Sequence, residues 1–226
     1  MYQTEFNGEH HELGTSGFLY RSNKLMYDHA TKSMWSTLKG EPVIGPLVDK
    51  GIKLNRRHVV TSTWGEWKAK HPETIVLTLN TGHTRDYGEG VAYNAYFADD
   101  KLMFDVPKND DRLKNKDEVF ALRDDTGQLA ISADFLAKTP VYHDQIGDTK
   151  IVVLTDSSGA NRGFASGDVV FTKWDGNGSA TDDKGQTWQV TEAALEMGET
   201  KLVRMPSHRV FWFGWQAQFP DTRLVK

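Results

Sequence analysis

Short runs of apolar residues, separated by clusters of glycine, aspartate and asparagine, recur along most of the chain. Runs of this kind are typical of short β-strands joined by turns. The strand-like segments are 75–79, 102–106, 150–155, 169–174 and 201–204. Helical periodicity over ten or more residues is nowhere convincing, so the pattern predicts a mainly β protein with a few short helices.

One stretch carries the clearest local signals. Residues 119–123 and 129–132 are strand-like and flank a turn at 124–127, which predicts a β-hairpin. A short helix over 133–138 is expected next, with Ser132 as its N-cap. Another helix is predicted after Thr63, because Thr63 and Glu66 have the spacing of a capping box and Pro72 prevents further turns.

The sequence also repeats itself: residues 64–74 align without a gap with residues 212–222. The matched identities are Trp64 and Trp212, Trp67 and Trp215, Ala69 and Ala217, Pro72 and Pro220, and Thr74 and Thr222. This spacing predicts an internal duplication into two tandem β-rich units, the first incomplete. The expected boundaries are 1–80 for the incomplete unit, 81–118 for an ordered polar linker and 119–226 for the complete unit. Both tryptophan pairs are expected to be core anchors.

The composition mainly excludes certain partners and kinds of site. The chain has 226 residues, enough for one large domain or two small ones, and a formal net charge of -4, which argues against a nucleic-acid partner. No apolar run is long enough to span a bilayer, and the N-terminus does not resemble a signal peptide. With no cysteine, disulfides, thiolate metal sites and a cysteine nucleophile are excluded. Motifs for a nucleotide cofactor are missing.

The linker holds the strongest candidate chemistry. Its polar set comprises His83, Arg85, Asp110, Asp111 and Arg112. Histidine or aspartate could activate water, Asp110 and Asp111 could hold a divalent metal such as calcium or zinc, and the arginines could hold negative charge. The alternative is an ion-pair network that fixes the linker between the two units.

Three tyrosines in the linker suggest a second kind of site. Tyr87, Tyr93 and Tyr96 would form a binding surface for a small molecule if they lie together in a concavity. Two other polar stretches favour structural roles. Adjacent His10 and His11 point to opposite faces of a strand, and the glycine-rich segment after Asp175 lacks the spacing of a calcium loop.

Several motifs, in order along the chain, resemble the domain-of-unknown-function 3179 family of bacteria and archaea. They are residues 17–28, 33–36, 45–47, 63–67, 85–87, 111–113 and 211–215. The resemblance implies a duplicated β-rich fold and a periplasmic or extracellular location, with no assigned reaction. Longer members carry a Cys-Pro-x-Cys-Gly-like strand ahead of the segment equivalent to residues 17–28, and this sequence does not contain it.

These observations leave three functional hypotheses open. The first is a metal-assisted hydrolase of a small ester or lactone, with His83 or the Asp110 and Asp111 pair activating water and Arg85 and Arg112 binding negative charge. The second is a non-catalytic extracytoplasmic module that binds a small molecule. The third is a structural or interaction protein, and an open sheet edge near residues 20–27 would then favour a homo-oligomer.

Overall fold

The computed structural model describes residues 1–88 and 90–226, which form a mainly β protein, as the sequence predicts. In the N-terminal part, β1 (Glu5–Phe6) and β2 (Glu9–His10) make a small hairpin. A four-stranded antiparallel sheet follows, in chain order. Its strands are β3 (Leu13–Tyr20), β4 (Asn23–Asp28), β5 (Met34–Ser36) and β6 (Glu41–Ile44). Two short helices, α1 (Trp64–Lys70) and α2 (Asn94–Phe97), lie in the long connection to the C-terminal part.

The C-terminal part begins with the predicted hairpin, β7 (Glu118–Arg123) and β8 (Gln128–Ser132), and the predicted helix α3 (Ala133–Lys138). The side chain of Ser132 makes no capping hydrogen bond to this helix. A three-stranded antiparallel sheet contains β9 (Val141–Ile146), β10 (Thr149–Thr155) and β11 (Asn161–Ala165), with β10 in the middle.

A five-stranded antiparallel sheet comes next, again in chain order. Its strands are β12 (Phe171–Trp174), β13 (Ser179–Asp182), β14 (Thr187–Val190), β15 (Ala194–Met197) and β16 (Thr200–Val203). The chain then returns to the first hairpin through β17 (Ser207–Phe211), α4 (Trp212–Gln218) and β18 (Arg223–Val225). In that sheet β17 pairs antiparallel with β7, and β18 pairs parallel with β8, so the hairpin lies between them.

Successive side chains along β7 and β8 point to opposite faces of the hairpin, and both faces are apolar. Val119 and Ala121 of β7, with Ala130 of β8, pack under Trp212 and Trp215 of α4. The residues between them pack with the β9–β11 sheet instead: Phe120, Leu122, Leu129 and Ile131. The far face of β10 and β11 then packs against the five-stranded sheet around Trp188. The main core is therefore a stack of one helix and three sheets.

Two predicted strands are absent from the structure. Residues 75–79 and 102–106 have no strand pairing with any described residue. Ile75 and Leu77 are 95% and 98% exposed. These two predictions are wrong because an apolar pattern alone does not make a strand, which also needs a neighbour to complete its hydrogen-bond ladder.

The prediction that both tryptophan pairs are core anchors is half wrong. Trp212 and Trp215 are fully buried, whereas Trp64 and Trp67 of α1 are 52% and 46% exposed. The difference is in what covers each helix, since α4 lies on the β7–β8 hairpin and no residue of α1 is buried.

Despite this difference, the two helices share their local geometry. Each has seven residues, and their C-cap residues, His71 and Phe219, have nearly the same backbone angles (φ −132° and ψ 66°, φ −133° and ψ 70°). The indole N–H of Trp67 donates to Thr74 Oγ1 at 2.9 Å, and that of Trp215 donates to Thr222 Oγ1 at 3.0 Å. This likeness is local, and the duplication of complete units stays a prediction.

Charged contacts connect α1 to the C-terminal part. Glu66 Oε2 accepts a hydrogen bond from Ser158 Oγ at 2.5 Å, and Glu66 Oε1 lies 3.4 Å from Nη2 of the buried Arg162. Arg162 in turn pairs with Asp156 and Glu192. Burial opposes ionisation of Glu66, but hydrogen bonds from Lys70 and Ser158 outweigh it and hold its pKa at about 2.

Candidate functional site

The linker residues predicted to form a catalytic site do not form one group. His83 and Arg85 lie in exposed coil, and neither side chain hydrogen-bonds or ion-pairs with another described residue. Asp111 is also exposed and makes no ion pair in the described part of the chain. The structure therefore does not bring His83 and Arg85 into contact with the aspartates.

Asp110 and Arg112 do meet, as a pair. Arg112 Nη2 donates to Asp110 Oδ2 at 2.7 Å, and its Nε lies 3.0 Å from each carboxylate oxygen. The hydrogen bonds from Arg112 lower the pKa of Asp110. The guanidinium also stacks on the Trp212 ring, 5.0 Å from its centre, and the Trp212 indole N–H donates to the Asp110 carbonyl. This pair connects the end of the linker to α4.

The predicted metal ligands are the carboxylates of Asp110 and Asp111. Both carboxylate oxygens of Asp110 accept from Arg112. Across residues 1–88 and 90–226, no group of three or more histidine and acidic side chains is arranged to hold a metal ion. Arg112 therefore competes with any metal for the Asp110 carboxylate, and metal binding at Asp110 and Asp111 stays a prediction.

Two of the predicted tyrosines share a small surface cavity of about 160 Å³. Tyr93 and Tyr96 line it together with Ser22, Met103, Phe104 and Phe213. The Tyr93 and Tyr96 rings meet edge-on, with centroids 6.4 Å apart, and Lys116 Nζ lies 3.8 Å from the Tyr96 centroid. Tyr87 is not part of this cavity, and its hydroxyl bonds Thr81 Oγ1 at 2.9 Å.

A much larger concavity, of about 760 Å³, lies between the N-terminal sheet region and the β7–β8 turn. We call it the basic cleft. Polar and charged side chains dominate its walls, and five of them are cationic: Lys39, Lys53, Arg56, Arg57 and Arg123. Four are acidic: Glu41, Asp124, Asp125 and Asp221.

Most of these acids are already engaged. Asp125 Oδ1 accepts from Arg56 at 2.9 Å, and Glu41 lies 3.7 Å from Lys53 Nζ. Asp124 accepts from the backbone N–H groups of its own turn, at Thr126 and Gly127. Lys39, Arg57 and Arg123 form no ion pair with a carboxylate of the described residues. Of the charged residues that line the cleft, three cations (Lys39, Arg57 and Arg123) and two acids (Asp124 and Asp221) have no oppositely charged partner among the described residues, so the cleft carries one excess positive charge.

Arg123 is the best-positioned cation in the basic cleft. Its Nη2 donates to the Tyr2 hydroxyl at 2.9 Å and to the carbonyls of Leu38 and Lys39 at 3.2 and 2.5 Å. Its guanidinium also stacks over Phe219, 4.8 Å from the ring centre. Burial, and to a smaller extent repulsion from Arg56, lower its pKa. These neutral partners fix the side chain without neutralising it, which suits a group that binds an anion.

Sequence reasoning missed this cleft because its residues are scattered. The cations come from the β5–β6 turn, from residues 53–57 and from the end of β7. The adjacent Arg56 and Arg57 were the one local signal of positive charge. A basic doublet in a chain of net charge -4 does not by itself indicate a site, and the fold is needed to bring Arg123 to it.

Comparisons with known proteins give a family and no activity. Neither the comparison with curated proteins nor the comparison with solved structures found a match. A family model described as "Protein of unknown function (DUF3179)" matches residues 1–222, nearly the whole chain. The protein therefore belongs to the DUF3179 family.

Proposed function

We propose that this protein is a non-catalytic binding module and that the basic cleft binds a small anionic molecule. The observation that carries the proposal is Arg123, which neutral partners hold in place at a cleft of about 760 Å³ and which forms no ion pair with a carboxylate of the described residues. A bound anion would supply the missing negative charge. A volume of this size is that of a small-molecule site.

The ligand chemistry follows from the cations. The guanidinium groups of Arg123 and Arg57 can bind the oxygens of a carboxylate or a phosphate in paired hydrogen bonds, and Lys39 adds a point charge. The polar walls, which include Gln3, Asn55 and Gln128, suit a hydrophilic ligand with hydroxyl or amide groups. The hydrolase hypothesis lacks comparable support, because His83 and Arg85 contact none of the aspartates. A location outside the cytoplasm stays a prediction from the family resemblance.

The test is calorimetric titration of the full chain with inorganic phosphate and, separately, with succinate at low ionic strength. We expect binding of at least one of them that weakens as salt is added, since exposed charges are screened. Replacing both unpaired flexible cations, Lys39→Gln with Arg57→Gln, should weaken binding by about tenfold or more, equivalent to about 1.4 kcal/mol.

The matched control is the pair of changes Lys150→Gln with Lys201→Gln, because these lysines pair with Asp168 and Glu196 outside the basic cleft and the control removes the same two charges from the chain. Its affinity should equal that of the wild type. Equal losses in the control and the double variant would show a net-charge effect and contradict a site in the cleft. Failure of both anions to bind at millimolar concentration would also contradict it.

A further inference from the structure

The α1 helix and the turn after it have the local geometry of a helix and turn that belong to a complete structural unit in the C-terminal part. There, β17 leads into α4, and β18 follows it after the turn at Phe219. With the same alignment, residues 59–63 correspond to β17, α1 to α4, and residues 75–77 to β18. The helix and the turn after it have the same local geometry in both places.

In the complete unit, the two flanking strands enclose two more. The strand order is β17, β7, β8, β18, so the β7–β8 hairpin fills the space between β17 and β18 and lies under both tryptophans of α4. Adjacent strands are spaced by about 4.8 Å, so a gap two strands wide separates the flanking strands by about 14 Å.

The N-terminal counterpart shows the properties of such a unit without its hairpin. Among the described residues, 60–62 and 75–77 neither donate nor accept a backbone hydrogen bond, whereas Val59 already donates its N–H to the Ser207 carbonyl at 2.8 Å. Ile75 and Leu77 are almost fully exposed, and both tryptophans of α1 are about half exposed. Free backbone hydrogen-bonding groups beside exposed apolar side chains are a ready template for strand addition.

We propose that this surface, formed by residues 60–62, α1 and residues 75–77, is a docking site for a β-hairpin that is not among residues 1–226. The hairpin would pair antiparallel with residues 60–62 and parallel with residues 75–77, and would cover Trp64 and Trp67. The complete unit in the same chain specifies this occupant, because it shows what covers an equivalent helix.

The complete unit also specifies the chemistry of the hairpin. The side chains facing α4 are small or β-branched, Val119, Ala121 and Ala130, and this lets the indole rings approach the backbone. The other face of β7 and β8 is apolar and is covered by the β9–β11 sheet. The docking hairpin is therefore expected to belong to a folded partner that covers its far face.

The experiment uses a preorganised probe. A cyclic peptide carries residues 118–132, closed by a short glycine linker, with its far face made polar by four substitutions: Phe120→Thr, Leu122→Thr, Leu129→Thr and Ile131→Thr. The control peptide has in addition Ala121→Lys and Ala130→Lys, which place charge against the tryptophans. Hydrogen exchange of the full chain is followed by mass spectrometry with each peptide.

We expect exchange at residues 60–62 and 75–77 to slow by about tenfold or more with the first peptide and to stay unchanged with the control. The variant Trp64→Ala with Trp67→Ala should lose this protection. Protection of only one of the two ranges, or equal protection by both peptides, would overturn the proposal.

Two further outcomes of the same experiment are decisive. If residues 75–77 are already protected in the free monomer, the surface is closed within the chain and the proposal is wrong. If their protection appears only as the concentration of the free chain rises, with a dimer seen by sedimentation, a second copy is the occupant and the hairpin proposal is overturned.

Discussion

Helices α1 and α4 share the spacing of two tryptophans and an alanine and the geometry of their C-terminal turn, yet α4 is buried and α1 is exposed. Both end in the same turn, and in both the second indole donates to a threonine seven residues later. Trp215 is fully buried against the β7–β8 hairpin, while Trp67 is 46% exposed. The local sequence determines the helix and its turn, and the neighbouring strands determine whether the tryptophans form a core.

The test with the largest expected effect replaces the second tryptophan of each helix by alanine. Trp215→Ala should lower the free energy of unfolding by about 3–5 kcal/mol, because it leaves a large cavity under α4. Trp67→Ala should cost about 1 kcal/mol or less, since the exposed ring loses little packing. Urea unfolding of both variants measures the difference. Equal losses would show that α1 is covered in solution.

The next test removes the hydrogen bond shared by both turns. Thr222→Val leaves the indole N–H of Trp215 buried without an acceptor, which should cost about 1–3 kcal/mol. Thr74→Val should cost about 0.5 kcal/mol or less, because water can replace the hydroxyl at the exposed Trp67. Thermal unfolding of the two variants is the measurement, and a larger loss for Thr74→Val would contradict the comparison.

A smaller effect on stability is expected from the residue three positions after the N-cap, which differs between the two helices. Glu66 of α1 bonds Ser158 and Arg162, whereas Gly214 occupies its place in α4. Its pKa in the folded chain, about 2, lies below the usual 4.5, so ionised Glu66 stabilises the fold above about pH 4.5. That contribution is lost as the pH falls from about 4.5 towards 2.

Glu66→Gln should therefore be less stable than the wild type at pH 7 by on the order of 1 kcal/mol. The gap should close towards pH 2, where the wild-type carboxyl is protonated. Urea unfolding of both proteins across this range measures the gap. A gap independent of pH would mean that the charge of Glu66 does not hold α1.

The smallest effect concerns the contact that only α4 has. Arg112 stacks on Trp212 and pairs with Asp110, and within residues 1–88 and 90–226 no arginine stacks on Trp64 in the same way. Arg112→Ala should cost about 0.5–1 kcal/mol, since the pair is partly exposed. If Asp110 and Asp111 hold a divalent cation instead, adding EDTA would lower the unfolding temperature of the wild type.

Local signals predicted the local structure well. The hairpin at β7 and β8, the helix α3 and the N-cap at Thr63 all depend on residues within a few positions of one another, although the Glu66 side chain does not complete the capping box. The exposure of Trp64 could not be predicted, because burial depends on a hairpin that the pattern around α1 does not encode. Residues 75–79 were misassigned for the same reason, since strand pairing is a non-local property.

The site was harder to predict than the fold. The linker is predicted as the site because its charged residues are close together in sequence. Of the predicted site residues there, only Asp110 and Arg112 form an ion pair among the described residues. The basic cleft combines residues separated by more than sixty positions, such as Arg57 and Arg123. Proximity of this kind comes from the packing of the N-terminal region beside β7.

The parallel pairing of β18 with β8 has a consequence for folding on the ribosome. The hairpin is made early, but α4 and β18 are synthesised about eighty to ninety residues later. At about 5–20 residues per second, Val119, Ala121 and Ala130 remain uncovered for roughly 4–20 s. The C-terminal unit is therefore expected to fold late and slowly, with its nascent hairpin open to chaperones and to aggregation.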